Sequence, residues 1–242
     1  MEIGHKIVYL DSVDSTNNYV ANLVKLNQIE HGTAIMADLQ TAGKGQRGSV
    51  WLAESGENIL LSIFLKPDNL SVSHQAFLTY FASVSLLTIL RKIGISASIK
   101  WPNDIYVGNK KIAGILIENS IKAQQINYSI LGIGLNVNQL NFEGLNATSI
   151  QQEMGQFFQR NEVVFMLFNE MNKNWSLLNV QAPTLKEKFT SNLFQLNELK
   201  TYQSKEKRFD GVIRGVNEDG LLLMEVAGEL KTFDLKEITF IL

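Results

Sequence analysis

Lys100–Glu118 reads KWPNDIYVGNKKIAGILIE. A Pro-Asn-Asp corner separates two apolar runs, and Ala97–Trp101 and Ile105–Val107 flank it as predicted strands. Proline presets φ, and Asn and Asp satisfy the turn from their own side chains. Seven residues after Asp104, Lys111 stands at the mouth of the second apolar run, just ahead of Ala113 and Gly114. A cation at the end of an apolar strand, beside a residue small enough to leave room for a ligand, suits anion chemistry. Taken singly, Lys111 beside Lys110 also reads as ordinary surface, and Asp104 as a plain turn residue.

Outward from this segment the pattern alternates strands with helices. Ile7–Leu10, Thr33–Leu39 and Ile59–Leu65 read as strands, the last stopped by Pro67. Tyr19, Val20, Leu23 and Val24 recur at helical spacing behind the cap residues Asp14, Ser15 and Thr16. Phe77, Phe81, Val84, Leu87 and Leu90 predict a long helix to about Arg91, capped by Ser71 or Ser73. Lys111–Ile117 and Ile126–Val137 pair as a hairpin in a central sheet, and two or three helices follow between Ser149 and Leu193. The character changes near Leu196. Short β runs broken at Asn217–Gly220 and Ala227-Gly228 predict hairpins and a small β-barrel over 196–242 behind a larger domain over 1–195.

The chain has 242 residues, 45% of them hydrophobic, a formal net charge of −2 and no cysteine. Disulfides and thiolate metal sites are excluded, and no basic footprint points to nucleic acid. Three scattered histidines make a histidine zinc site implausible. The N-terminus has no signal-peptide core, and no apolar run approaches the ~20 residues that span a bilayer. A cytoplasmic protein without membrane contact is the expectation.

Four other segments carry chemistry. Gly43-Lys44-Gly45-Gln46-Arg47-Gly48 is a glycine-rich basic loop whose N–H groups can face an anion. It lacks the Lys-Ser/Thr of a Walker loop, and a mobile surface loop explains it equally well. Ser15 and Thr16 can hydrogen-bond a carbonyl-like ligand group or merely cap a helix, and Asn17 and Asn18 share that ambiguity. Trp51 suits stacking on a base or packing in a core. Gly132-Ile133-Gly134-Leu135-Asn136-Val137-Asn138 is not a dinucleotide fingerprint. Its glycines mark close approach to a strand, by a ligand or at a bulge, and the Asn136 amide can pair with an adenine edge.

Together these segments resemble the biotin–protein ligases. The matching motifs are Asp14-Ser15-Thr16-Asn17, Gln40-Thr41-Ala42-Gly43-Lys44-Gly45 to Trp51, Lys100-Trp101-Pro102-Asn103-Asp104, Lys111-Ile112-Ala113-Gly114 and Gly132–Val137. They follow in the family's order, and the resemblance covers essentially the whole chain. It implies an α+β fold with a mixed central sheet flanked by helices, like the class II aminoacyl-tRNA synthetases, and an Src-homology-3-like barrel at the C-terminus. It also implies an enzyme that activates biotin as biotinyl-5′-AMP with ATP and Mg²⁺. The acyl group then passes to one lysine of a biotin carboxyl carrier protein.

By the same resemblance, Ser15, Thr16, Asn17 and Gln40 would hold biotin. Gly43, Lys44 and Gly45 would close over it, and Gly114 would leave it room. Gln46, Arg47, Trp51, Asn103 and Asn136 would contact the nucleotide. Lys111 would bridge carboxylate and α-phosphate, supported by Asp104, with Lys44 and Arg47 as further cations. Lys100 would be structural. Glu237, within Lys236-Glu237-Ile238, would reach from the barrel toward the loop. Lys44 and Gln46 stand where the family's loop usually carries two arginines, which is expected to loosen its hold on the adenylate. Ile241 stands where some members carry an arginine. No DNA-binding unit precedes Ser15, so repression of genes is disfavoured. A lipoate–protein ligase and a non-catalytic biotin or nucleotide binder are the competing readings. Family members occur as monomers and homodimers, and exposed sheet edges leave that choice open.

Overall fold

The structure is a computed structural model that describes residues 1–180, 182–205, 207–235 and 237–241, and the side chains of Arg47, Asn179, Val180 and Ala182 are outside that description. Twelve strands and six α-helices occur among the described residues. The first strands are β1 (Ile7–Val13), β2 (Ala34–Gln40) and β3 (Ile59–Leu65), with helix α1 (Thr16–Lys25) after β1 and α2 (Ala76–Ile93) after β3. Then come β4 (Ser98–Lys100), β5 (Asp104–Val107), β6 (Lys110–Lys122) and β7 (Gln125–Leu135). Four helical segments follow, α3 (Ile150–Met154), α4 (Arg160–Trp175), α5 (Leu177–Val180) and α6 (Ala182–Thr190), where two or three were predicted. Their short turns carry no apolar period long enough to separate them in the sequence.

The large sheet has the order β1-β2-β3-β7-β6-β5-β4. Only β1 and β2 pair in parallel and every other pair is antiparallel, so the sheet is mixed. β3 lies inside the sheet next to the central β7 and is buried along its whole length, as its ILLSIFL requires for a strand covered on both faces. Val20 of α1 packs on Ile35, Phe64 and Ile130, while α2 joins the larger core with α4 and α6.

Two helix expectations need correction. Neither Ser71 nor Ser73 caps α2. Ser71 precedes a 3₁₀ turn at Val72–His74, and its hydroxyl bonds Ser73 Oγ and His74 Nδ1 instead of the helix backbone. Moreover, turn and helix together make Val72–Ile93, 22 residues, long and apolar enough to cross a bilayer by composition. Tyr80, Ser83, Ser85 and Thr88 interrupt its apolar run in the sequence. The segment is mostly buried against the sheet, as the core helix of a folded domain is.

The remaining strands β8 (Leu199–Ser204), β9 (Lys207–Val216), β10 (Leu222–Val226), β11 (Glu229–Phe233) and β12 (Thr239–Phe240) form an antiparallel sheet of order β11-β10-β9-β8-β12. Ala227 (φ 52°) and Gly228 (φ 81°) make the β10–β11 turn, the left-handed pair a two-residue hairpin demands. Trp101 Nε1 donates to Gly220 O at 3.0 Å. That bond ties the second sheet to the Pro-Asn-Asp corner and brings Phe240 over the edge of the first.

Candidate active site

A cavity of about 590 Å³ opens between the large sheet, the start of α1, the glycine-rich loop and β12. Its floor is the face of β3, β6 and β7 that carries Gly114, Leu116, Gly132 and Gly134, with the backbone of Leu61, Ile115 and Ile133 between them. At the Pro-Asn-Asp corner, Lys111 Nζ lies 2.7 Å from Asp104 Oδ1, both side chains partly accessible at 31% and 23%. Antiparallel pairing of β5 with β6 sets Asp104 opposite Gly114 and Tyr106 opposite Lys111. A strap over residues 146–148 fixes the start of β6, since Lys111 N donates to Asn146 O and Thr148 N to Lys111 O.

Ser15, Thr16 and Asn17 are buried at the other end. Ser15 occupies the N-cap of α1, yet its side chain makes no cap bond. Thr16 donates through its backbone N–H (2.8 Å) and hydroxyl (3.0 Å) to Gln40 Oε1. Ser62 Oγ lies 2.7 Å from Thr16 Oγ1 and 2.5 Å from Asn17 Oδ1, and Asn17 Nδ2 donates to Glu118 at 2.6 Å. Ser62 and Glu118 escaped the sequence reasoning. Their signal was there: Ser62 is the one polar residue of an otherwise apolar buried strand, and such a group needs a partner.

The glycine-rich loop folds on itself. Gly45 N donates to Ser49 O and Trp51 N to Gly43 O. A Cβ on Gly43 would meet Trp51 O at 2.5 Å, and one on Gly45 would meet Ser49 Oγ at 2.3 Å. Gly43 therefore closes the loop and is not part of the cavity wall, whereas Lys44, Gly45, Gln46 and Trp51 are. Lys44 Nζ donates to Asn18 Oδ1 at 2.5 Å, and Asn18 in turn donates to Asp14. That amide first, then the Ser15 backbone, holds the Asp14 carboxyl below its usual range. The expected role of the Arg47 side chain falls outside what the structure describes.

Other expectations change. The strand glycines are approached by the protein's own side chains. A Cβ on Gly134 would fall 2.4 Å from Trp51 Cε2, one on Gly132 2.6 Å from Asn17 Oδ1, and one on Gly114 3.0–3.1 Å from Trp51 and Lys111. Trp51 thus lies flat on β6 and β7, with Lys111 Nζ 5.3 Å from its ring centre. Asn136 lies just past the end of β7 and is buried away from the cavity wall. Its amide donates to Thr148 O at 2.9 Å and so holds the strap behind Lys111. Asn103 lines the cavity, but its amide is engaged by Ile115 O at 2.5 Å. Glu237 is exposed and accepts from Asp234 N, so it does not reach the loop. Lys100, assigned a structural part, lines the cavity together with Trp101, Ile238 and Phe240.

For Mg²⁺, Asp104 is the single carboxylate of the wall among the described residues, and no group of three potential metal ligands occurs among them. One carboxylate fits a magnesium ion that arrives on phosphate oxygens and keeps its waters, as Mg²⁺ commonly does. It does not build a protein-only metal site.

Known proteins align with this arrangement. The profile of the Biotin/lipoate A/B protein ligase family matches residues 9–136. The bifunctional ligase/repressor BirA of Bacillus spizizenii is 30% identical over 95% of this chain and 72% of its own length. A biotin–[acetyl-CoA-carboxylase] ligase of Mycobacterium tuberculosis is 27% identical over 81% of this chain and 74% of its own. The solved biotin protein ligase of Aquifex aeolicus, in complex with biotin and ATP, superposes with a TM-score of 0.81 at 28% identity, covering 97% of this chain and 98% of that one. The chain belongs to the biotin/lipoate A/B protein ligase family.

Proposed function

We propose that this chain is a biotin–protein ligase that joins biotin to ATP as biotinyl-5′-AMP and passes the biotinyl group to a lysine of a biotin carboxyl carrier protein. The observation that carries the reading is the Lys111–Asp104 pair facing the same cavity as the Ser15–Thr16–Gln40 cluster. The cluster is neutral and hydrogen-bonding, as a ureido ring requires, and Lys111 suits the carboxylate. A lipoyl dithiolane offers no comparable hydrogen-bond partner, and polar side chains buried against it would go unmatched. That favours biotin within the family.

In the first half-reaction a biotin carboxylate oxygen attacks the α-phosphorus, and the bond to the β-phosphate oxygen breaks. Lys111 offsets the charge of two anions brought together, and Asp104 holds its ammonium in place. Gln40 and Thr16 fix the ureido end, and the loop from Gly43 to Arg47 closes over the adenylate. Trp51, Asn103 and Gln46 form the nucleotide side. When bound, Mg²⁺ supplies charge neutralisation on the phosphates, with Asp104 as its protein oxygen. The second half-reaction needs the neutral amine of the acceptor lysine at the mixed anhydride.

The larger reading also takes 1–195 as a class II synthetase-like catalytic domain and 196–242 as a small barrel, in a cytoplasmic protein that acts on a carboxylase without DNA or membrane. The deciding experiment is ATP–pyrophosphate exchange. It should appear with biotin and be absent with lipoate. Exchange with lipoate alone, or none with either, refutes the reading.

A further inference from the structure

Lys100 has no part in the chemistry described so far. It ends β4, half-buried, and its ammonium donates to Tyr106 Oη at 3.2 Å. The same ammonium lies 4.7 Å from the Tyr106 ring centre and 5.0 Å from that of Phe240 on β12. Among the described residues it makes no ion pair, since Asp104 is committed to Lys111. Burial pulls its pKa below the ordinary lysine value, Asp104 opposes that, and Lys111 adds to it. Aromatic faces compensate a desolvated ammonium only in part. A lysine kept in such a place on the wall of an anion cavity has a partner still to come. The wall holds Lys44, Lys100 and Lys111 against one carboxylate among the described residues, so its charge is unbalanced toward positive.

We propose that Lys100 contacts the polyphosphate tail of the nucleotide and stabilises pyrophosphate as it leaves, with Phe240 of the second sheet as its positioning residue. The proposal rests on the adenylation reading above. As the α-phosphorus accepts the biotin carboxylate, the electron pair of the breaking bond passes to the bridging oxygen of the departing pyrophosphate. No proton need move, and the charge on that group rises. Lys111 serves the α-phosphate and carboxylate, and Lys100 serves the leaving group. The second sheet gains a part in catalysis by the same contact, because Phe240 covers the ammonium that the tail must meet.

The consequence is a split between half-reactions. Transfer from ready-made biotinyl-5′-AMP involves no pyrophosphate and does not need Lys100. The test compares full-length wild type with Lys100→Met, Lys100→Arg and Phe240→Leu. Lys100→Met should lower kcat/KM for ATP in biotin-dependent pyrophosphate exchange by about 10–100-fold. Biotin affinity measured without nucleotide should be unchanged, as should transfer from supplied biotinyl-5′-AMP to a biotin carboxyl carrier domain. Lys100→Arg should restore most of the exchange, and Phe240→Leu should raise KM for ATP more than it lowers kcat. An equal loss in both half-reactions, or unaltered ATP kinetics, overturns the assignment. Should Lys100→Met not fold, Lys100→Gln and Phe240→Leu allow the same comparison, and the same two outcomes overturn the assignment. Absence of biotin-dependent exchange in the wild type would overturn the adenylation reading itself, which separates the two failures.

Discussion

Replacing Lys111 with alanine removes the cation proposed to face both reacting anions and leaves Asp104 without its partner at 2.7 Å. The two consequences differ in size. Lys111 is 31% accessible and Asp104 23%, so water reaches both. In surroundings of that polarity, with an effective dielectric near 20, unit charges 4 Å apart interact by about 4 kcal/mol. Only the increment between bound substrates and transition state speeds the reaction. An increment of half to three-quarters of a charge gives about 2–3 kcal/mol, or roughly a hundredfold in rate. Loss of one preorganised donor costs a similar ~10²–10³-fold in other enzymes. The stability term is smaller, because an accessible ion pair contributes about 0–1 kcal/mol. Lys111→Ala should therefore keep its cooperative thermal unfolding and lose about a hundredfold in single-turnover adenylation, read as pyrophosphate release with biotin and ATP saturating. Pyrophosphate release at the wild-type rate would refute the role of Lys111. An equivalent loss accompanied by a collapsed unfolding transition would show that the pair is structural.

Three other substitutions probe the surrounding geometry. Gly134→Ala places a methyl within 2.4 Å of the Trp51 ring and should destabilise by about 1–3 kcal/mol through overpacking. An unchanged melting temperature and tryptophan emission would mean that Trp51 does not rest on β7. Gln46→Arg adds a cation to the loop at the cavity wall and should slow the escape of biotinyl-5′-AMP, measured by filter binding after adenylation; equal release rates would count against the loop as the retaining element. Glu170 is buried; desolvation alone would raise its pKa, but hydrogen bonds from Lys173 and Lys92 outweigh that and hold it below the usual 4.5. A depressed carboxyl pKa stabilises the fold above that value, and the contribution fades as pH falls through the folded-state pKa. Glu170→Gln should thus lower the melting temperature at pH 7, with the gap to wild type closing as the pH falls below 4.5 and through the folded-state pKa.

Much of this molecule is visible in its sequence because periodicity and turn chemistry are local. The strand at Ile59–Leu65, the first half of β6 over Lys111–Ile117, the helix behind Ser15 and the Ala227-Gly228 hairpin follow from patterns a few residues long, whereas the extension of β6 to Lys122 does not. The Lys111–Asp104 pair was expected from the family resemblance alone, for the β5–β6 register sets Asp104 opposite Gly114 and Lys111 opposite Tyr106, and only the reach of the lysine side chain brings the charges together. What escaped depends on contacts between distant segments. Asn136 sits in a suggestive motif, yet its amide is drawn to Thr148, a residue with no motif of its own. Glycines 132 and 134 announce a close approach without saying by what, and the answer is Asn17 and Trp51. Phe240 reaches the cavity through contacts between distant segments, among them Trp101 Nε1 with Gly220 O, 119 positions away, and Phe194 with Phe240.

The layout of the cavity also selects the direction in which biotin enters. Gly132 lies beneath Asn17 and Gly134 beneath Trp51. Alternate residues of a strand share one face, so these two points are about 7 Å apart along β7. Toward Gly132 the side chains present acceptors whose donors are already used: Gln40 Oε1 takes two bonds from Thr16, Asn17 Oδ1 faces Ser62, and the Glu118 carboxylate holds Asn17. Toward Gly114 stand Lys111 and, across the wall, Lys100. A carboxylate entering at the Gly132 end would meet acceptor oxygens and a second carboxylate, which repel it in a site of low polarity. A neutral ureido group carries N–H donors that Asn17 Oδ1 and the Glu118 carboxylate still accept, because each takes a single bond and keeps lone pairs, whereas Gln40 Oε1 is filled by Thr16. The proposed orientation is thus enforced from both ends, by attraction at Lys111 and by the cost of the reverse pose at Asn17. Glu118→Gln, which removes the anion behind Asn17, should for that reason weaken discrimination against the reversed pose and raise KM for biotin while leaving KM for ATP alone. A rise confined to ATP would show that Asn17 and Glu118 do not face the ureido end.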